Sequence, residues 1–153
     1  ISCEFILCGD GELSGDLHSK ASQYKNIKII EWIDQAKIVT LSNISSAFIA
    51  PYRNSSDFVI SIPNKVVDAL KLGVPLLSPL KGEVESLIKN NLVGLFYDDM
   101  VPLSDCIESL VEDNELQAQM SVNAKKLYEN EFEFNMVYDK LALHLEGMKN
   151  TAL

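Results

Sequence analysis

A segment near the middle of the chain combines an uncapped helix start, a lysine and an acidic residue. Pro63 suits the first helical position, where its missing N–H costs nothing, and the preceding Ile62 has no side-chain oxygen to cap the helix. The first backbone N–H groups of such a helix are free to bind an anion, and a phosphate is a natural one. Lys65 adds a positive charge, and Asp68, about one turn inside the helix, can accept hydrogen bonds from sugar hydroxyls.

The same segment has a simpler interpretation, as an ordinary amphipathic helix with a solvated Lys65–Asp68 ion pair. Both interpretations predict a helix that ends at Gly73, because glycine readily adopts the left-handed conformation of a helix stop. The apolar run Val74–Ser78 that follows predicts a buried strand. The residue types alone leave both interpretations open.

The turn Gly9-Asp10-Gly11, which directly follows an apolar run, is the second feature that suggests ligand binding. Its spacing begins like a dinucleotide fingerprint, but the third glycine of that pattern falls at Ser14. Glu31 lies about where a ribose-binding acid is expected, at the end of the second apolar run. An NAD(P)- or flavin-binding domain of an oxidoreductase is therefore an alternative on these features, and a plain tight turn between strand and helix is another.

The cysteines and histidines indicate neither a metal site nor a disulfide framework. Cys3, Cys8 and Cys106 form no CxxC pattern and are odd in number. His18 and His144 are the only histidines, and they lie far apart in the sequence. We therefore expect no metal, no disulfide and no cysteine nucleophile, with a reducing cytoplasm as the default location.

Length, composition and charge narrow the class of protein. A chain of 153 residues with 47% hydrophobic and 23% charged residues fits one domain with its own core, spanning residues 1–153. The net charge of −9 argues against a nucleic-acid partner, which requires a basic face. No apolar run is long enough to span a membrane. Because the chain starts at Ile1 without a signal-peptide pattern, we expect a piece of a larger protein.

Apolar runs alternate with helical segments along the whole chain. The predicted strands are Cys3–Cys8, Ile27–Ile33, Ala47–Tyr52, Val74–Ser78 and Val93–Tyr97. The predicted helices are Leu13–Gln23, Gln35–Leu41, Pro63–Gly73, Glu83–Asn90, Pro102–Glu112, Asn114–Tyr128 and Asn135–Met148. This alternation predicts an α/β fold, a Rossmann-like open parallel sheet of about six strands with helices on both faces. Ligands bind beyond the carboxyl ends of such strands, so we expect the glycine turn, Trp32 and the start of the Pro63 helix to share one crevice.

Taken together, these segments resemble the carboxyl-terminal half of retaining glycosyltransferases of the GT-B fold, family 4. The most specific match is the pattern Pro-Asn-x-x-x-acid-Ala-x-x-x-Gly-x-Pro, which runs from Pro63 to Pro75. The strand and turn of Phe5–Leu13 and the segment Asn26–Ile33 also fit the family. The resemblance covers nearly the whole chain.

The resemblance implies eight positions that bind a nucleotide-sugar donor. Two glycines would let the backbone approach the diphosphate, and a Trp–Ile pair would border the base. Three polar residues would lie near the phosphates, and one acid would hold the ribose hydroxyls. In that order, the residues are Gly9, Gly11, Trp32, Ile33, Ser61, Asn64, Lys65 and Asp68.

This chain departs from the family at one of its two characteristic acids, which are separated by seven residues. The second acid corresponds to Asp68, whereas the first falls at Ile60, which cannot serve. No catalytic residue is therefore assigned. The basic residues that neutralise the diphosphate in the family would lie before Ile1, outside this chain.

The resemblance implies a hexosyltransferase that uses a UDP- or GDP-sugar and retains anomeric configuration, in the biosynthesis of a surface polysaccharide such as capsule, lipopolysaccharide or exopolysaccharide. It implies a cytoplasmic protein that needs no metal and no cofactor besides the donor. An amino-terminal acceptor domain of the same protein would be missing from this chain, and any peripheral membrane association would run through that half. A non-catalytic flavodoxin-like binding module is the remaining alternative.

Overall fold

Strands and helices alternate in the computed structural model, which describes residues 3–151. The strands are β1 (Phe5–Cys8), β2 (Ile27–Ile30), β3 (Phe48–Ile49), β4 (Leu76–Ser78) and β5 (Gly94–Phe96). The helices are α1 (Ser14–Ala21), α2 (Gln35–Ser42), α3 (Ser56–Val59), α4 (Asn64–Leu72), α5 (Glu83–Asn91), α6 (Leu103–Glu112), α7 (Asn114–Leu127) and α8 (Phe134–Thr151). A π-helical turn, Tyr128–Phe132, separates α7 from α8.

The chain divides into two compact units, one up to Ile44 and one from Ser45 onward. In the first unit β1 and β2 pair in parallel, with Phe5 opposite Ile27, and α1 forms the crossover between them. None of the described residues of this unit is fully buried, so its core is thin. That residues 1–153 form one domain stays a prediction.

The second unit is a parallel sheet with β4 between β3 and β5 and helices on both faces. All three residues of β4 are buried, and successive side chains of a strand point to opposite faces. Leu76 accordingly joins the core that contains the apolar residues of α4 and α5, whereas Leu77 packs with Cys106 and Leu110 of α6. The prediction of helices on both faces is confirmed for this unit.

Helix α4 owes its position to a buried apolar stripe. Val66, Ala69 and Leu70 are completely buried and share one core with β4. The helix ends as predicted at Gly73, whose φ of 67° is left-handed. The N–H of Val74 donates to the Ala69 carbonyl at 3.1 Å, which satisfies one of the helix's last carbonyls.

The helix begins one residue later than predicted. Pro63 has extended backbone with ψ of 147° and is the capping residue, so that Asn64 is the first helical residue. The side chain of Pro63 carries no oxygen and provides no cap. The sequence had indicated the same for Ile62, the residue expected at the capping position.

The predicted single sheet of about six strands is wrong, because the five strands found within residues 3–151 form two sheets, of two and three strands. β3 is only two residues long, in part because Pro51 has no N–H to extend a ladder. Helix α3 and the π-helical turn were also not predicted. α3 closes through bonds to the Ser55 carbonyl from the N–H groups of Phe58 and Val59, at 3.1 and 3.0 Å.

Gly94→Ala should destabilise the second unit by about 2–3 kcal/mol, because a Cβ at this position would overlap the backbone of Leu76 in the neighbouring strand. Urea unfolding followed by circular dichroism measures the loss. Gly147→Ala in α8, where a Cβ meets open space, is the control and should gain about 0.5–1 kcal/mol. Equal unfolding midpoints for Gly94→Ala and the parent chain would contradict the close approach of β5 to β4.

Candidate functional site

The start of α4 presents backbone N–H groups that no other part of the described chain binds. The N–H of Val66 donates to the Pro63 carbonyl at 2.9 Å, and that of Val67 approaches the same oxygen at 3.4 Å. Within residues 3–151, the N–H groups of Asn64 and Lys65 have no acceptor. These two amides stand at the positive end of the helix dipole, which makes them suitable donors to an anion.

The side chains around this start leave it accessible. Asn64 and Lys65 are exposed, and Lys65 belongs to none of the ion pairs that the described residues form. The alternative of a Lys65–Asp68 ion pair is therefore not realised in the structure. The Ser61 hydroxyl donates back to the carbonyls of Asp57 and Phe58, at 3.0 and 3.2 Å, so only its oxygen lone pairs are available to a ligand.

Asp68 lies near the residues that follow β3. Burial, and secondarily the negative charge of Asp68, raise the pKa of Tyr52 above its usual 10.0. The ring of Tyr52 packs against Phe58 of α3, with 5.1 Å between the ring centroids. Because Asp68 is only half-buried, its carboxylate remains able to accept hydrogen bonds from a ligand.

The loop after β4 is held on two sides. The Asn54 amide donates from Nδ2 to the Pro79 carbonyl at 3.1 Å, and its Oδ1 accepts the N–H of Lys81 at 2.7 Å. Gly82, with φ of 73°, lies so close to the carbonyl of Val59 that a Cβ would overlap it. The loop after β3, the end of α3 and the loop after β4 therefore form one connected edge of this sheet.

The carboxyl ends of β3, β4 and β5 must meet at this edge because the strands are parallel. After β5, the Asp98 carboxylate accepts the N–H groups of Val101 and Met100, at 2.9 and 2.8 Å. These bonds, with smaller contributions from Lys81 and Lys89, lower the pKa of Asp98. Asp98 therefore stays ionised and organises its own loop.

In the first unit, the glycine turn borders a cavity of about 240 Å³ at the carboxyl end of β1. Gly9 has φ of 149°, and neither Gly9 nor Gly11 has an atom within contact distance of where a Cβ would stand. The Asp10 carboxylate accepts the Gly11 N–H at 2.8 Å and the Ser14 hydroxyl at 3.3 Å, so it stabilises the turn. Burial raises the pKa of Cys8, which favours the thiol over the reactive thiolate.

The two residues predicted to border a base follow β2 in the same unit. Trp32 is 72% exposed, which excludes a role as a core residue, and Ile33 is half-buried. Their position at the carboxyl end of β2 places them on the edge of the β1–β2 pair where the glycine turn also lies.

The structure thus separates the predicted site residues into two groups. One group lies at the carboxyl end of the β1–β2 pair and consists of Gly9, Gly11, Trp32 and Ile33. The other lies at the carboxyl edge of the three-stranded sheet and consists of Ser61, Asn64, Lys65 and Asp68. That both groups share one crevice stays a prediction.

Sequence reasoning missed Tyr52, Asn54 and Gly82 as parts of the second group's surroundings. They act through contacts with residues distant in the sequence, which no local pattern reveals. The only signal was the polar composition of the turn that contains Asn54. The described residues contain no cluster of three or more His, Cys, Asp or Glu suited to a metal ion. In the same residues, no helix has the length and apolar character needed to cross a bilayer.

The family model for glycosyl transferases group 1 matches residues 1–127. Because this match spans most of the chain, the chain belongs to that family. The predicted resemblance to glycosyltransferases is thereby confirmed at the level of this family. No significant match was found among curated proteins.

Two solved structures have a similar fold. WaaG, a glycosyltransferase involved in lipopolysaccharide biosynthesis, superposes with a TM-score of 0.67 at 12% identity over 90% of this chain. AviGT4, a glycosyltransferase involved in avilamycin A biosynthesis, gives a TM-score of 0.54 at 13% identity over 83% of this chain. The chain spans 36% of the length of the first structure and 42% of the second.

Asp68→Asn should lower the pKa of Tyr52, because the charge that opposes its ionisation is removed, while burial keeps the pKa above 10.0. NMR titration of 13C-labelled tyrosine measures the change. Tyr97, whose pKa is raised by burial and then by Cys106, is the internal control and should not move. Since the folded pKa of Tyr52 is raised, its contribution to the free energy of unfolding is present below pH 10 and is lost as the pH rises through that pKa. If the Tyr52 pKa is the same in Asp68→Asn as in the parent chain, the Asp68 carboxylate lies too far from Tyr52 to influence its ionisation, which would contradict the structure.

Proposed function

We propose that this chain is the donor-nucleotide-binding half of a retaining glycosyltransferase of the GT-B fold, family 4. The observation that carries the proposal is the start of α4. There, in a member of a glycosyltransferase family, two unpaired amides and an unpaired lysine stand about one turn before a half-buried carboxylate.

Each part of this arrangement has a role with a nucleoside diphosphate sugar. The amides of Asn64 and Lys65 donate to phosphate oxygens, and the Lys65 ammonium balances their charge. Asp68 accepts hydrogen bonds from the ribose hydroxyls. When the sugar leaves, negative charge builds up on the diphosphate, and donors already fixed in place stabilise that charge without reorganising.

The proposal also assigns donor contacts to four residues of the first unit. The backbone at Gly9 and Gly11 approaches the diphosphate, where the open space above both glycines leaves room for a ligand. Trp32 and Ile33 border the base, and the exposed indole of Trp32 offers a stacking surface. The Ser61 oxygen accepts from a ligand hydroxyl near the phosphates.

No residue of this chain is assigned a catalytic role. At the position of the family's first acid, Ile60 is 77% exposed at the end of α3, where an apolar side chain cannot hydrogen-bond a sugar. The contacts that orient the transferred sugar would then come from other residues.

The full-length protein would carry an amino-terminal acceptor domain, and closure of the two halves would complete the reaction site. Both similar solved structures are longer than this chain, which spans 36% and 42% of their length. We place the reaction in surface polysaccharide biosynthesis in the cytoplasm, with a UDP- or GDP-hexose as donor and without metal or further cofactor. Peripheral membrane association would belong to the acceptor half.

The test is titration of the 153-residue chain with UDP, GDP, UDP-sugars and NADH, read through the fluorescence of Trp32, the only tryptophan. We expect weak binding of a nucleoside diphosphate, no binding of NADH and no sugar transfer. The double variant Lys65→Ala/Asp68→Ala should lower the affinity at least about tenfold, since both groups make charge-assisted contacts.

The matched control is Lys126→Ala/Glu129→Ala, which removes an exposed lysine and an exposed glutamate at the same spacing elsewhere on the second unit. Its affinity should equal that of the parent chain. Binding of NADH that depends on Glu31 would instead support an oxidoreductase domain. If neither class of nucleotide binds, the chain is a binding module of another kind and the proposal is wrong.

A further inference from the structure

We propose that Ser121 of α7 is a positioning residue for the nucleotide-binding site, because it holds the end of the helix whose start binds the ligand. Its hydroxyl contacts the residue at which α4 ends, so it acts on the ligand only through α4. The inference rests on the proposed function and concerns the placement of the two unpaired α4 amides.

Ser121 occupies a position of α7 that packs inward. Met120 and Ala124 on the same side of the helix are completely buried, and Ser121 is half-buried. A serine contributes little apolar burial at such a position, and its hydroxyl requires a partner there. The Ser121 Oγ donates to the Gly73 carbonyl at 2.6 Å. This bond joins α7 to the carboxyl end of α4.

Two further contacts attach the same end of α4 to α7 and to the turn that follows it. The side-chain carbons of Lys125 cover Gly73 so closely that a Cβ there would overlap them. The ammonium of Lys71, in the last turn of α4, stands 5.9 Å from the ring centroid of Tyr128. Helix α4 is therefore attached by polar and charged groups at its end, whereas its first two amides bind no other part of the described chain.

The Ser121 bond and the apolar packing of α4 oppose different motions of the helix. Burial of apolar side chains is non-directional, so it tolerates small translations along the helix axis. A hydrogen bond has a narrow range of length and angle and therefore opposes such a translation. Since the nine residues of α4 form one rigid rod, about 13 Å long, a shift at Gly73 displaces its first amides by a similar distance.

Such a displacement weakens the binding of an anion at the start of α4. Bonds from N–H groups to charged oxygens are short, at about 2.7–2.9 Å, and they lose strength as they lengthen or tilt. The amides of Asn64 and Lys65 move together because they belong to the same helix. One lost bond at the end of α4 therefore affects two bonds to the ligand at its start.

Helix α5 has a corresponding contact with a different residue of α7. The Asn123 Nδ2 donates to the carbonyls of Asn91 and Leu92, both at 3.1 Å, and its Oδ1 accepts a bond from Gln119 at 2.8 Å. Asn91 is the last residue of α5, and Leu92 has a left-handed φ of 49°, which is costly for a residue with a side chain. Helix α7 thus holds the ends of α4 and α5 through two separate side chains.

Ser121→Ala tests the inference, at a temperature at which circular dichroism shows the parent and the variant fully folded. Calorimetric titration with UDP and with GDP should show about a 3- to 10-fold loss of affinity for the ligand that the parent binds more tightly, as expected for one well-placed hydrogen bond. In 15N NMR of the ligand-free variant, the Asn64 and Lys65 amide resonances should move, although they lie at the other end of the helix.

Three further variants give the comparisons. Ser121→Thr keeps the hydroxyl and should retain the parent affinity. Ser109→Ala on α6 removes an exposed hydroxyl that bonds to the Asp105 carbonyl of its own helix, and it should bind like the parent. Asn123→Ala should move the amide resonances at the start of α5, those of Glu83 and Val84, and leave those at the start of α4 in place.

A merely structural role of Ser121 would lower the thermal midpoint alone. If Ser121→Ala keeps the parent affinity, or if its Asn64 and Lys65 resonances stay in place, the inference is wrong whatever the thermal midpoint does. If Ser121→Ala and Asn123→Ala move the same resonances to the same extent, the change is a general loosening, which also overturns the inference. The proposed function survives each of these outcomes as long as the parent chain binds UDP or GDP. If the parent binds neither, both the inference and the proposed function are wrong.

Discussion

The side chains of Val66, Ala69 and Leu70 in α4 are completely buried and pack in one core with residues of β4 and α7. This packing fixes the direction of the helix axis. Full burial of a valine or leucine side chain contributes about 1.5–3 kcal/mol each. A missing side-chain cap costs roughly 1 kcal/mol. The packing therefore outweighs the unsatisfied start, and the helix keeps its free amides directed at the edge of the sheet instead of capping them with its own residues.

The remainder of that edge depends on β4. Its buried Ser78 donates to the Ala50 carbonyl at 2.8 Å and accepts the N–H of Leu80 at 3.3 Å, so a side chain inside the core aligns the ends of two strands. Asn54 continues this alignment outward by holding the loop that follows. Polar contacts between loops thus place side chains whose own positions the hydrophobic core does not determine.

Local sequence patterns predicted the parts of the fold that local physics controls. The apolar runs became strands, and Gly73 ended α4 because only glycine adopts its conformation at no cost. Strand pairing was not predictable in the same way, since an apolar run in the sequence gives no information about which other strand it will pair with. The single sheet that we expected appears as two, and β3 is shorter than its apolar run because Pro51 cannot donate to a ladder.

For the candidate site, the sequence identified the α4 start and Asp68 but not their surroundings. The contact of Asn54 with Lys81 joins residues far apart in the chain, and the proximity of Asp68 to Tyr52 depends on how α4 packs. The sequence placed Trp32 after a strand, and only the fold shows that its side chain is exposed. Residue types can therefore suggest what chemistry a site performs, whereas tertiary packing decides which groups remain free to perform it.

The central claim is that a nucleoside diphosphate binds at the unpaired amides that open α4. Amide-resolved 15N NMR of the chain, titrated with UDP and with GDP, tests this claim most directly. We predict that the Asn64 and Lys65 amide resonances shift with the largest amplitude in the second unit and saturate together. Unmoved Asn64 and Lys65 resonances, with shifts confined to another helix start such as that of α6, would contradict it.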